Sequence, residues 1–339
     1  MTPDGSGGWT EKVLHNFGTA SDGRYPEAGL IFDGNGNLYG ATGGGGTHTR
    51  GTVFELTPDG SGGWTEKVLH NFGSGDDGAE PNSSLIWDNA GNLYGATGQG
   101  GTHGVSGGAG TVFELTPNGD GSWTEKVLHN FGSGMDGLNP KAGLIFDAAG
   151  NLYGTTYYGG THSSGTVFEL TPNGDGSWTE KVLHNFGSGM DGQYPWAGLI
   201  FDTAGNLYGT TSDGGSHGRG GIVFEMSPDG SGGWTEKILH NFNSGKDGGF
   251  PEAGLIFDGN GNLYGTTGAG GSLNWGTAFE MTPDGSGGWT EFLLHNFGIG
   301  NDGRSPYSGL VFDNAGHLYG TTNAGSTYGE GMVFEITPD

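Results

Sequence analysis

Trp178-Thr179-Glu180-Lys181-Val182-Leu183-His184-Asn185-Phe186 returns almost letter for letter from Trp9, Trp64, Trp123, Trp234 and Trp289. Six copies at steps of 55 to 59 residues mark a repeat protein, and a repeat has to be recognised before domains are counted. Around this stretch lies a full unit. In its first copy Ala28 to Asp33 predicts a strand, and Gly34-Asn35-Gly36 a tight turn of the positive-φ kind. Asn37 to Thr42 predicts a second strand, and a glycine-rich loop, Gly43 to Arg50, leads to a third at Gly51 to Thr57. The turn Pro58 to Gly63 then feeds a fourth strand, Trp64 to Phe72.

Four short antiparallel strands in a unit of this length are the pattern of a propeller blade, and no helical periodicity interrupts it. The reading is therefore all-β: a single six-bladed β-propeller over residues 1–339. Its blades fall near 28–72, 83–131, 142–186, 197–242, 253–297 and 308–337. The last unit lacks a fourth strand and the N-terminus supplies a spare one, Trp9 to Phe17. Pairing the two would complete blade six as three strands plus one and leave no open sheet edge. The small Ala-Gly or Ser-Gly pair opening most inner strands suits a crowded axis.

Composition narrows the partners. Against 37 acidic residues stand only 11 Lys and Arg, a formal net charge of −26. Nucleic acid is disfavoured, because neutralising phosphates needs a basic patch. No apolar run reaches the length of a membrane span. Cysteine is absent, which excludes disulfides and thiolate metal sites. Gly 79 and Pro 13 together exceed a quarter of the chain, yet the glycines recur at fixed repeat positions and read as turns. Met1-Thr2-Pro3-Asp4-Gly5 matches Met281 to Gly285, and the chain stops at Thr337-Pro338-Asp339, inside the same turn. A domain excised from a longer protein is expected, with any export signal or anchor left outside.

Three motifs carry a resemblance. They are Leu199-Ile200-Phe201-Asp202-x-x-Gly205-Asn206-Leu207-Tyr208-Gly209-Thr210-Thr211, then Gly159-Gly160-x-x-x-x-Gly165-Thr166-Val167-Phe168-Glu169-Leu170-Thr171-Pro172, then Leu183-His184-Asn185-Phe186. Together they resemble the GloVer-type tandem-repeat family of bacterial proteins over essentially the whole chain. The resemblance implies a secreted or cell-surface propeller-like domain, and it implies no reaction or catalytic residue. Thr57-Pro58-Asp59-Gly60-Ser61-Gly62-Gly63-Trp64 is similar to the Asp-box turn of sialidase-type propellers, with Ser61 at a glycine position. The arginine cluster of such enzymes is missing.

Comparing the six units shows where chemistry could differ. The turns on one side barely change, whereas the loops entering the inner strands vary. Their last position reads Glu27, Asn82, Lys141, Trp196, Glu252 and Tyr307; two residues upstream stand Tyr25, Glu80, Asn139, Tyr194, Phe250 and Ser305. Aromatic planes among carboxylates and amides suit sugars, whose C–H faces stack on rings while hydroxyls bond polar groups. The bland alternative is drift of exposed loop tips. The expected ligand-binding set is thus Tyr25, Glu27, Asn82, Lys141, Tyr194, Trp196, Phe250, Glu252 and Tyr307. The expectation is a monomeric extracellular module for a glycan-like or other small polar ligand.

Two alternatives stay open. One is a carbohydrate hydrolase or lyase using Glu27 or Glu252, with Glu80 or Glu330 nearby; the separation of two carboxylates decides its stereochemistry. The other is a structural repeat with no ligand. Gly-Gly-Thr-His and Gly-Gly-Ser-His place His48, His103, His162 and His217 in the longer loops. They are the weak metal candidates, although one shared site would need ligands from different blades to converge. No cofactor is expected, and Ca²⁺ is conceivable given so many loop aspartates. The histidines and aspartates that recur in all six units, such as His184 and Asp191, read as scaffold.

Overall fold

The structure, a computed structural model, describes residues 2–3, 5, 8–19, 21–103 and 107–337. Met1, Asp4, Pro338 and Asp339, on which the shared-turn expectation partly rests, lie outside the described residues. Among the described residues every regular element is a strand. The fold class is all-β, a six-bladed β-propeller repeat, and the chain forms two compact units, Met1–Asn130 and Phe131–Asp339.

Unit one holds two blades. Blade one runs Ile31–Phe32, Leu38–Thr42, Thr52–Pro58, Trp64–Asn71; blade two runs Ile86–Trp87, Leu93–Thr97, Thr111–Pro117, Trp123–Asn130. Each is a four-stranded antiparallel sheet in chain order. Unit two holds four blades, whose third strands are Thr166–Pro172, Ile222–Pro228, Thr277–Pro283 and Met332–Ile336. The inner strands are shorter than Ala28 to Asp33 suggests, only two residues each. In the first copy the carboxylate of Asp33 accounts for the stop, because it accepts the N–H groups of Asn35 and Asn37 at 2.8 and 2.9 Å and turns the chain there. Gly36, at φ 87°, completes that turn.

Period-two alternation decides the packing. Along Thr52–Pro58 the side chains of Val53, Phe54 and Leu56 are buried, and a bulge between Val53 and Phe54 re-aims the outer strand. The same bulge recurs in the second to fifth blades. Neighbouring blades within a unit then meet side chain to side chain. In unit two Tyr208 and Val223 of blade four pack with Leu255, Leu263 and Phe279 of blade five. In unit one Tyr39, Ala41 and Val53 pack with Leu85, Leu93 and Phe113. A Cβ on Gly209 would sit 2.6 Å from Phe224 and 2.9 Å from Leu199, which explains a glycine in the middle of a strand.

In unit one Trp9–Thr10 pairs with Thr2–Pro3; in unit two the sixth sheet holds Val311–Phe312, Leu318–Thr322 and Met332–Ile336 among the described residues. The N-terminal segment also packs laterally. Leu14 and Phe17 lie on the Leu38, Phe54 and Leu56 cluster of blade one, with the Phe17 and Phe54 rings 4.9 Å apart. Phe186 makes the same contact with Phe224 at 5.1 Å. The N-terminal segment thus packs on blade one as the outer strand of a preceding blade would.

Candidate functional site

The loops entering the inner strands are built around a left-handed residue. Tyr25, Glu80, Asn139, Tyr194, Phe250 and Ser305 have φ between 53° and 62°, a region that costs a side-chain-bearing residue about 1 kcal/mol or more. The conformation is over-determined by hydrogen bonds. Tyr194 donates its N–H to Ser164 O (2.8 Å), while its carbonyl accepts the N–H of Ser212 (3.0 Å) and the hydroxyl of Ser212 (3.0 Å). Phe250 does the same between Gly220 O and Gly268 N–H, both at 2.9 Å. Pinned two residues upstream, the variable position is delivered to a defined place.

In unit two that place is crowded with aromatic rings. Trp196 meets Tyr157 edge to face at 5.0 Å; Tyr157 also contacts Tyr194 at 5.3 Å and Tyr158 at 4.4 Å. The Lys141 ammonium stands 4.2 Å from the centre of the Trp196 ring and 5.1 Å from that of Tyr157, a cation–π arrangement that fixes both rings. Glu252 is close enough that its charge helps push the Tyr157 hydroxyl up to about 12, after burial and together with Tyr158. Burial raises the Glu252 carboxyl itself, with Lys141 working against it. Tyr158 and Trp196 remain 46% and 37% exposed, so the cluster is a surface platform rather than core.

Of the residues singled out from sequence, Lys141, Tyr194, Trp196 and Glu252 come together here. Phe250 and Tyr307 lie elsewhere in unit two, Tyr307 over Gly268, where an added Cβ would approach its ring to 2.4 Å. Tyr25, Glu27 and Asn82 belong to unit one; Tyr25 is 68% exposed and Asn82 covers Gly43. Sequence reasoning missed Tyr157 and Tyr158. Their places are held by Gly43-Gly44 in blade one and Gly98-Gln99 in blade two, so aligning the ends of the second strands as well as the entry loops would have exposed them. A second feature missed is a cleft of about 420 Å³ in unit one, lined by Tyr39, Trp87 and Trp123 with Asp33 and Asp88. Its polar groups serve turns: Asp88 accepts Ala90 N–H, Asn92 N–H and Tyr94 O–H.

Three of the loop histidines bond within their own loop. His103 and His162 meet the hydroxyls of Thr102 and Thr161 at 3.0 Å, and His217 that of Ser216 at 3.3 Å. The recurring pairs behave as scaffold: His184–Asp191 at 3.0 Å, His70–Asp77 at 3.2 Å and His295–Asp302 at 2.8 Å, each aspartate also accepting a loop N–H. Beside Asp77, Asp191 and Asp247 stands a glutamate from the next outer strand. Burial, then the neighbouring aspartate, pushes Glu125, Glu236 and Glu291 up to about 7. Among the described residues His184, Asp191 and Glu236 form a group with donor atoms within 4.8 Å of one another, a set that could hold a cation. Asp191, however, already accepts the N–H groups of Gly187 and Gly192 (3.2 and 2.6 Å) besides facing His184.

The family model described as the Gloeobacter/Verrucomicrobia repeat matches residues 1–220 and 175–339. The chain belongs to this repeat family. A solved protein of unknown function from Dyadobacter fermentans aligns at 13% identity and a TM-score of 0.53, covering 94% of this chain and 98% of that one, a likeness of fold alone. PorZ of Porphyromonas gingivalis, a bacterial surface component of the type-IX secretion system, aligns at 17% identity and a TM-score of 0.49. That match covers 89% of this chain but only 37% of PorZ. No curated protein matches. Among the described residues no helix is long and apolar enough to cross a membrane.

Proposed function

We propose that this repeat protein is an extracellular or cell-surface binding module that recognises a glycan-like ligand on the Tyr157, Tyr194 and Trp196 platform. The supporting observation is the convergence of three aromatic rings, a lysine and a partly buried carboxyl from the second strand of blade three and the entry loops of blades three, four and five, where those positions break the repeat. Rings held edge to face present flat, rigid area that loses little entropy on binding. Lys141 and Glu252 offer a donor and an acceptor for hydroxyls at its border. The surface location rests on the family resemblance. Titration against a glycan array, followed by affinity electrophoresis with Trp196→Ala and Tyr157→Gly, tests the reading. Retardation that both variants abolish supports it; no response across the array sinks it.

The hydrolase alternative keeps one supporting observation, the raised Glu252 carboxyl, which is the state a general acid needs. Incubation with a polysaccharide panel and an assay for new reducing ends separates it from binding alone.

A further inference from the structure

Trp87 stands where the other five units carry Phe32, Phe146, Phe201, Phe257 and Phe312. With Tyr39 and Trp123 it walls the cleft of about 420 Å³ in unit one, beside the Asp33 and Asp88 turns. The three rings form a corner rather than a stack. Trp87 meets Tyr39 edge to face at 4.8 Å, and the two indoles lie 6.4 Å apart, inclined at 46°. The Trp87 Nε1–H donates to Phe32 O at 3.2 Å, which holds the larger ring in place.

The electrostatics of the cleft have one sign. Among the described residues no Lys or Arg lines it, and its charged groups are Asp33 and Asp88. Burial opposes ionisation of both, but the turn N–H groups together outweigh it and hold the two carboxyls below their ordinary range. Aromatic walls and two negative charges, on a chain of net charge −26, suit a cation.

Those charges come with their hydrogen-bond positions filled. Asp33 accepts the N–H groups of Asn35 and Asn37 at 2.8 and 2.9 Å, the Asn37 amide at 2.9 Å and the Tyr39 hydroxyl at 3.4 Å. Asp88 likewise accepts Ala90 N–H, Asn92 N–H and the Asn92 amide, each at 2.8 Å, and the Tyr94 hydroxyl at 3.2 Å. Four donors are about what a carboxylate can take. A sugar or a primary ammonium would find neither carboxylate free for its O–H or N–H groups, and donors left unmet are costly. A nitrogen carrying only carbon has no donor to satisfy. It needs a negative field and aromatic walls, the surroundings that recognise quaternary ammonium ions.

We infer that the cleft between blades one and two binds a small quaternary ammonium compound of the choline type, its methylated nitrogen against Tyr39, Trp87 and Trp123 and its charge balanced by Asp33 and Asp88. None of these residues belongs to the Trp196 platform, so either site can fail without the other.

Saturation-transfer NMR on the methyl signals of choline and of 3,3-dimethylbutan-1-ol, the same shape with carbon in place of the charged nitrogen, provides the test. Choline should bind about tenfold more tightly than the neutral alcohol and lose affinity as salt rises. Trp87→Ala should weaken choline about tenfold or more. Trp87→Phe, which restores the residue of the other five units and so keeps the fold, should weaken it by a smaller factor. Tyr328→Ala, at an exposed ring outside the cleft, should leave it unchanged. Equal affinity for the two compounds overturns the assignment, as does choline binding that neither Trp87 variant alters. So does the absence of saturation transfer at about 10 mM choline, a concentration that would reveal even millimolar affinity.

Discussion

Gly43 and Tyr157 occupy the same place in the repeat and do opposite things. In blade one Gly43 leaves room for Asn82, whose side chain would lie 2.3 Å from an added Cβ. In blade three Tyr157 fills that room, and Trp196 stands against it edge to face. The backbone ties are the same: Gly43 N–H reaches Tyr25 O at 2.9 Å and Tyr157 N–H reaches Asn139 O at 3.1 Å. The difference teaches that this scaffold separates support from surface variation. What is repeated six times holds the loop, and what breaks the repeat gives the surface its chemistry.

The sharpest way to break the comparison is to damage the repeated part. Phe224 is fully buried behind Gly209, and Phe224→Ala should cost about 3–5 kcal/mol, read as a lower denaturant midpoint; a loss below 1 kcal/mol would show that the blade contact carries little. Next comes the part that breaks the repeat. Trp196→Ala and Tyr157→Gly should each weaken ligand binding by about tenfold or more (~1.4 kcal/mol), while thermal stability moves far less than for Phe224→Ala.

A third test uses the recurring glutamates. Glu236 is raised to about 7 in the folded protein, against about 4.3 for an unperturbed Glu. The unfolded chain therefore releases this proton first as pH rises. The stability tied to it is complete below about pH 4.3 and is lost as pH climbs through 7. Glu236→Gln should leave the melting temperature unchanged at pH 4 and raise stability at pH 8 by about 1–2 kcal/mol, allowing for partial solvation; equal shifts at both pH values would refute the assignment. The smallest effect belongs to the exposed loop histidines. His162→Ala removes one bond to its neighbour Thr161 and should change stability by no more than about 0.5 kcal/mol.

Much of the fold was legible because it is written six times. Alternation in Thr166–Pro172 and the Asp-x-x-Gly-Asn turns named the strands, and every blade contains them. The N-terminal copy was legible as an outer strand, since Leu14 and Phe17 pack on blade one as Phe186 packs on blade four. The platform was half legible. The entry loops revealed Lys141, Tyr194, Trp196 and Glu252 as departures, whereas Tyr157 hid at the end of a strand whose other copies end in glycine, serine or asparagine.

The left-handed residue ahead of each inner strand sets up a trade. A tyrosine or phenylalanine at such a backbone angle is conformationally uncomfortable, and glycine would relieve it at Tyr194 or Phe250 alike. Laboratory selection for heat resistance alone should therefore drift toward glycine at these six positions. Under selection for binding the proposed ligand instead, the aromatic at 194 should persist.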